Sequence, residues 1–124
     1  MEITLRATEF EPDERLKARA VQKIGRLQRY VPELERADVE LSLEPTREVE
    51  ARRIVRVNLI ENGKVLLRVE RRAADPYVAV DAAVDTLKEQ LLRYKQKRDD
   101  WRHHRHHQAE VVEEERETAE AEEE

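Results

Sequence analysis

The chain has 124 residues, with 24 Lys and Arg against 29 Asp and Glu, a formal net charge of −5, and 43% of its residues charged, so any core must be lean. That length suits one small two-layer domain, and the absence of cysteine excludes a disulfide framework and thiolate metal sites, in keeping with a reducing compartment. No basic segment leads into an apolar run at the amino terminus, and no apolar stretch approaches the ~20 residues of a membrane span, so the chain reads as soluble and cytoplasmic, with no membrane partner.

Glu2 to Ala7 alternates, with Ile3, Leu5 and Ala7 on one face, the period of a half-buried strand. Glu9 to Pro12 breaks the alternation, and Pro12 can open a helix reaching Tyr30 with Leu16, Ala20, Ile24, Leu27 and Val31 on one stripe. Gly25 is a weak point in that helix and can permit close packing against a neighbour. On the opposite face Arg15, Arg19, Gln22, Arg26 and Arg29 follow 4-3-4-3 spacing, with Lys23 at the edge. A charged face is ordinarily the solvated side of an amphipathic helix. Here Arg15 to Tyr30 holds no acidic residue, whereas a merely solvated helix mixes signs to obtain i,i+4 pairs.

Ala37 to Glu44 is a second strand, with Val39, Leu41 and Leu43 inward and an acidic outer face. Arg53 to Glu61 places Val55, Val57 and Leu59 on one side and Ile54, Arg56, Asn58 and Ile60 on the other. Asn62-Gly63 is a strong hairpin signal, since both residues tolerate positive φ. Lys64 to Arg72 then returns with Val65, Leu67 and Val69 inward and Leu66, Arg68, Glu70 and Arg72 outward. The last element starts with Asp75 as an N-cap and Pro76 at the first helical position. It runs to Arg98 with Tyr77, Val80, Val84, Leu87, Leu91 and Tyr94 on one stripe. Its acids precede its bases, opposing the macrodipole, and Glu89 can pair with Arg93. The order β-α-β-β-β-α predicts an α+β two-layer sandwich: a four-stranded, largely antiparallel sheet with two helices on one face, like a double-stranded-RNA-binding domain.

Charge is divided unevenly along the chain. Residues 1–98 hold 21 Lys and Arg against 18 Asp and Glu, a net +3, while residues 99–124 hold 3 against 11, a net −8. A basic domain with an acidic tail points to a polyanion-facing surface. Residues 99–107 read as a basic, His-rich extension of the second helix, and 108–124 as an acidic disordered tail with little to bury. The four histidines lack a Cys or well-spaced carboxylate to complete a site, so no metal is assigned. Trp101 can stack on a base or pack on the helix. No phosphate-binding Gly-rich loop or nucleophilic set is present. Asp81 and Asp85, at i,i+4, read as part of a solvated face rather than a catalytic pair. The expectation is a binding protein, not an enzyme, with no cofactor. The two basic helices suit phosphate backbone recognised by shape.

Asp75-Pro76-Tyr77-Val78-Ala79-Val80-Asp81, followed by Asp85, Leu87, Gln90, Leu91, Lys95 and Lys97, resembles the signature of the ribosome hibernation-promoting factors, also called ribosome-associated translation inhibitors. Leu16, Val21, Lys23, Leu27 and Tyr30 fit its weaker first-helix pattern. Thr86 stands where Lys is common, and Pro76 is a second departure. The resemblance implies binding to the small ribosomal subunit and its rRNA in the channel of mRNA and tRNA, blocking and protecting idle ribosomes under stress or in stationary phase. The first-helix contacts would be Arg15, Arg19, Lys23, Arg26 and Arg29, and the second-helix contacts Lys88, Arg93, Lys95, Lys97 and Arg98. Residues 1–98 would be the ribosome-binding domain, monomeric when free. With no room for a further folded domain, the chain looks like the ribosome-associated inhibitor A branch, which disfavours ribosome pairing. Two other readings stay open. One is a general binder of structured RNA; the other is a protein-interaction module using the sheet's outer face around Ile54, Ile60 and Leu66. Reversal of Arg19, Arg26, Lys95 and Arg98 to Glu, all expected to be exposed, should abolish ribosome binding and spare the fold.

Overall fold

The computed structural model describes residues 1–104, and the side-chain environments of residues 1–99. The strand β1 (Glu2–Thr8) is followed by α1 (Glu14–Gly25) and a 3₁₀ turn at Arg26–Arg29. Then come β2 (Arg36–Leu43), a short 3₁₀ turn at Val49–Ala51, β3 (Arg53–Glu61), β4 (Lys64–Ala73) and α2 (Pro76–His104). The sheet order is β1-β2-β3-β4. β1 pairs parallel with β2 because α1 carries the chain back across the sheet between them, while the shorter later connections make β2, β3 and β4 antiparallel. The result is the expected α+β sandwich with a mixed sheet.

The first helix is shorter than its apolar stripe. The carboxylate of Asp13 accepts a 2.7 Å hydrogen bond from the Leu16 amide and so closes the helix end, leaving Pro12 outside it. Beyond Gly25 the turn tightens to 3₁₀ geometry, yet Leu27 and Val31 still reach the core. α2 instead outruns its stripe: Asp75 accepts from the Tyr77 amide at 2.7 Å, and the helical backbone continues to His104. Its 29 residues span about 43 Å at ~1.5 Å per residue.

One apolar core fills the space between the layers. Leu16, Ala20 and Ile24 of α1, the inward residues of β2 and β3, Leu67 and Val69 of β4, and Ala79, Val80, Ala83, Leu87 and Leu91 of α2 form a single cluster. Asn62 and Gly63 turn the β3–β4 hairpin at φ 54° and 72°. Just after it, Leu59 pairs with Leu67 but Ile60 pairs with Val65, so Leu66 is an extra residue in β4. That bulge reverses the alternation expected for Val65 and Leu66, because one inserted residue moves every side chain beyond it to the other face. Val65 is 46% exposed, while Leu66 packs against the core.

The outer face of the sheet is a charge ladder along one register line, Arg6–Glu40–Arg56–Glu70. Glu40 lies 3.6 Å from Arg6 and 3.0 Å from Arg56, Arg56 lies 2.7 Å from Glu70, and Arg72 bridges Glu70 and Glu44 at 3.3 Å each. Ile54 and Ile60, expected as surface apolar residues on this face, are 3% and 7% exposed. They sit on a central strand between cross-strand partners that include Arg72 and Arg36, whose long stems can cover them. The apolar patch envisaged for a protein partner is therefore absent from this face among the described residues. No helix of the described residues is long and apolar enough to cross a membrane.

Candidate nucleic-acid interface

Both helices lie on the inner face of the sheet, and because β4 runs parallel to β2, α1 and α2 point the same way. Two contacts follow their seam, and a third ties α2 to the turn that follows α1. At the start, the Tyr77 hydroxyl donates to Asp13 at 2.9 Å, so one carboxylate oxygen caps α1 and receives α2. Two turns on, Asp81 accepts a bidentate pair from Arg19, Nε at 3.0 Å and Nη2 at 2.8 Å, and a third bond from Lys23 Nζ at 3.0 Å. Near the far end, Arg98 meets Glu33 at 3.4 Å and lies over the Tyr94 ring at 5.5 Å. Tyr94 in turn donates to Glu61 at 3.2 Å, tying α2 to the hairpin.

These contacts sort the ten cations expected from the sequence. Arg19 and Lys23 are held by Asp81, so that carboxylate belongs to the helix seam and not to the solvated face its spacing suggests. Hydrogen bonds from Arg19, and then from Lys23, hold the Asp81 carboxyl below its ordinary value against the opposing effect of partial burial. Arg98 was expected to be exposed, but its side chain is only 18% exposed and its Nε is buried without a hydrogen-bond partner. Arg93 pairs with Glu89 at 2.6 Å, as the i,i+4 spacing predicts. Lys97 is half-buried and engaged. Arg29 is exposed, 5.3 Å from the Tyr30 ring.

Arg15, Arg26, Lys88 and Lys95 remain, all exposed and without a hydrogen-bond or ion-pair partner among the described residues. Lys88 and Lys95 stand one and two heptads beyond Asp81, hence on the α1 side of α2 with a drift of about 20° per heptad. Arg93 lies about 140° around from Lys88, on the other flank. The structure thus brings free cations of both helices to the two rims of one seam, whose floor is the Arg19–Asp81–Lys23 cluster. Sequence reasoning missed that floor: the lack of an acid on α1 able to pair with Arg19 and Lys23 is equally the mark of a surface left open for phosphate, and it does not point to Asp81. Among the described residues no three His, Cys, Asp or Glu side chains converge on a metal-sized gap. The His103–His107 run, Trp101 and the 108–124 tail lie outside the described side chains.

Fold and seam define a small α+β domain with two aligned helices presenting unpaired positive charge from one layer. The chain belongs to the family described as sigma 54 modulation protein / S30EA ribosomal protein, which matches residues 3–99. It is 38% identical over 74 residues to the ribosome hibernation promotion factor of Deinococcus radiodurans, a match spanning 60% of this chain and 38% of that protein. Among solved structures it is similar to the N-terminal domain of Thermus thermophilus Protein Y, at TM-score 0.62 and 31% identity over 76% of this chain and 99% of that one. A ribosomal subunit interface protein from Coxiella burnetii shares the fold at TM-score 0.66 and 21% identity, over 77% of this chain and 99% of that one. The family is one of ribosome-associated factors, not of enzymes.

Proposed function

We propose that this domain binds the small ribosomal subunit in the channel that carries mRNA and tRNA, and keeps idle ribosomes inactive and protected. The observation that carries this reading is the double rim of unpaired cations, Arg15 on α1 and Arg26 at its C-cap on one side and Lys88 and Lys95 of α2 on the other, in a member of a ribosome-associated family. Phosphate oxygens of structured rRNA are the natural partners of such a surface, recognised by shape and backbone rather than base edges. Arg29, Arg93 and Lys97 add charge at its margins, whereas Arg19, Lys23 and Arg98 chiefly hold the helices. No cofactor is required for binding of this kind, and the site of action is the cytoplasm, with the ribosome as partner and the free protein a monomer.

The test is sedimentation with vacant ribosomes through a sucrose cushion at two salt concentrations, with a generic RNA duplex as competitor. Pelleting that survives the duplex and weakens with salt is the expected result. Loss of pelleting to the duplex indicates a general binder of structured RNA, and failure to pellet at low salt overturns the ribosome reading.

A further inference from the structure

Asp81 is in the wrong place for a residue of an RNA-facing surface. A carboxylate repels phosphate, yet this one sits in the seam between the rims and takes three hydrogen bonds from the two cations nearest to it. On the sheet's outer face, charges are likewise paired within the molecule; on the helix layer the pairing is selective, consuming Arg19 and Lys23 and leaving the rims free.

We infer that Asp81 is a specificity-determining residue: by engaging Arg19 and Lys23 it withholds two cations from phosphate and fixes the offset between α1 and α2. The inference rests on the reading that this layer meets RNA. A seam with six free cations would attract any polyanion, because each cation that neutralises a phosphate adds affinity irrespective of sequence or shape. With the floor's two cations engaged and its charge cut to a net +1 by Asp81, strong binding requires a surface that reaches Arg15 and Arg26 on one rim and Lys88 and Lys95 on the other together. A folded rRNA surface can meet that spacing, while a generic duplex engages fewer of these groups. The bidentate geometry of Arg19 matters here, since a guanidinium fork on a carboxylate sets direction as well as charge. Asp81 thus acts as an internal competitor, holding the groups that bind phosphate when released.

The test compares the unaltered protein with Asp81→Asn and with the double variant Arg19→Gln/Lys23→Gln. Each is titrated against a generic A-form RNA duplex over a range of salt, and against vacant ribosomes. Release of two cations in Asp81→Asn should steepen the dependence of log K on log salt by about 1.5. It should also tighten duplex binding about tenfold at low salt and lower the preference for ribosomes over duplex. The double variant should keep the slope of the unaltered protein, because the two side chains it removes are already occupied. An unchanged slope in folded Asp81→Asn overturns the inference, as does a slope about 1.5 shallower in the double variant. If Asp81→Asn does not fold, the double variant decides alone. Failure of the unaltered protein to bind ribosomes would remove the proposed function, while the duplex slopes would still decide the role of Asp81 independently.

Discussion

Gly25 and Gly63 show how one residue type acts in opposite senses. Gly25 has helical dihedrals, φ −58° and ψ −33°, and a β-carbon there would meet Ile3 Cδ1 at 3.6 Å, an ordinary van der Waals contact. Close packing is therefore not what glycine secures at this position. Gly25→Ala should raise stability by about 0.5–1 kcal/mol, read as a higher urea midpoint, because alanine loses less entropy on entering a helix. Gly63 has open space around it but a φ of +72°. Gly63→Ala should lower stability by about 1–2 kcal/mol in the same measurement, because the β-carbon crowds the backbone in the left-handed region. Hairpin chemistry was plain from Asn62-Gly63, since those residues report their own dihedrals. The neighbour of Gly25 lies on β1, more than twenty residues away, and no local pattern reports it.

Among the elements, the family signature is a helix start joined to a clamp. Asp75 caps α2, Tyr77 bonds the cap of α1, Ala79 is wholly buried in the core, and Asp81 binds Arg19 and Lys23. The clamp should be sensitive to acid. The Asp81 carboxyl is held below its ordinary value of 3.8, chiefly by Arg19, and Asp13 is lowered by the Leu16 amide and then by Tyr77. In this pH range the unfolded chain binds more protons than the folded one. The stabilisation is therefore fully present above about pH 5 and is lost as pH falls through the ordinary carboxylate value and on through the lowered one. Guanidinium midpoints measured from about pH 5 down to pH 2 should fall, and Asp81→Asn should flatten that fall. Leu87, fully buried beneath the helix layer, provides the apolar counterpart: Leu87→Ala should cost about 2–5 kcal/mol by chemical denaturation.

Across the domain, the two faces of the sandwich predict different outcomes for similar changes in charge. Reversing Arg15, Arg26, Lys88 and Lys95 to Glu should abolish ribosome pelleting while leaving the circular dichroism unchanged, because none of the four is tied into the fold. Exchanging Arg56 and Glu70 on the outer ladder should leave pelleting intact. Reversal of Arg19 or Arg98, by contrast, would break contacts between α1 and α2 or with Glu33, so a lost activity there would mix unfolding with lost contacts. The six elements, the inner and outer faces of β2 and β3 and both helix stripes were legible in the residues alone, because periodicity, caps and turn residues act over a few neighbouring positions, while the family was legible through the signature that Asp75 to Asp81 resembles. Which cations are free was settled by packing. The folded chain sets Asp81 against Arg19 and Lys23, and Glu33 against Arg98. It also moves Val65 outward through the bulge at Leu66 and buries Ile54 and Ile60 under cross-strand neighbours. Apart from the bulge, which lies beside its own hairpin turn, each of these depends on pairing between segments distant in sequence, and local patterns of charge or hydropathy carry no record of that pairing.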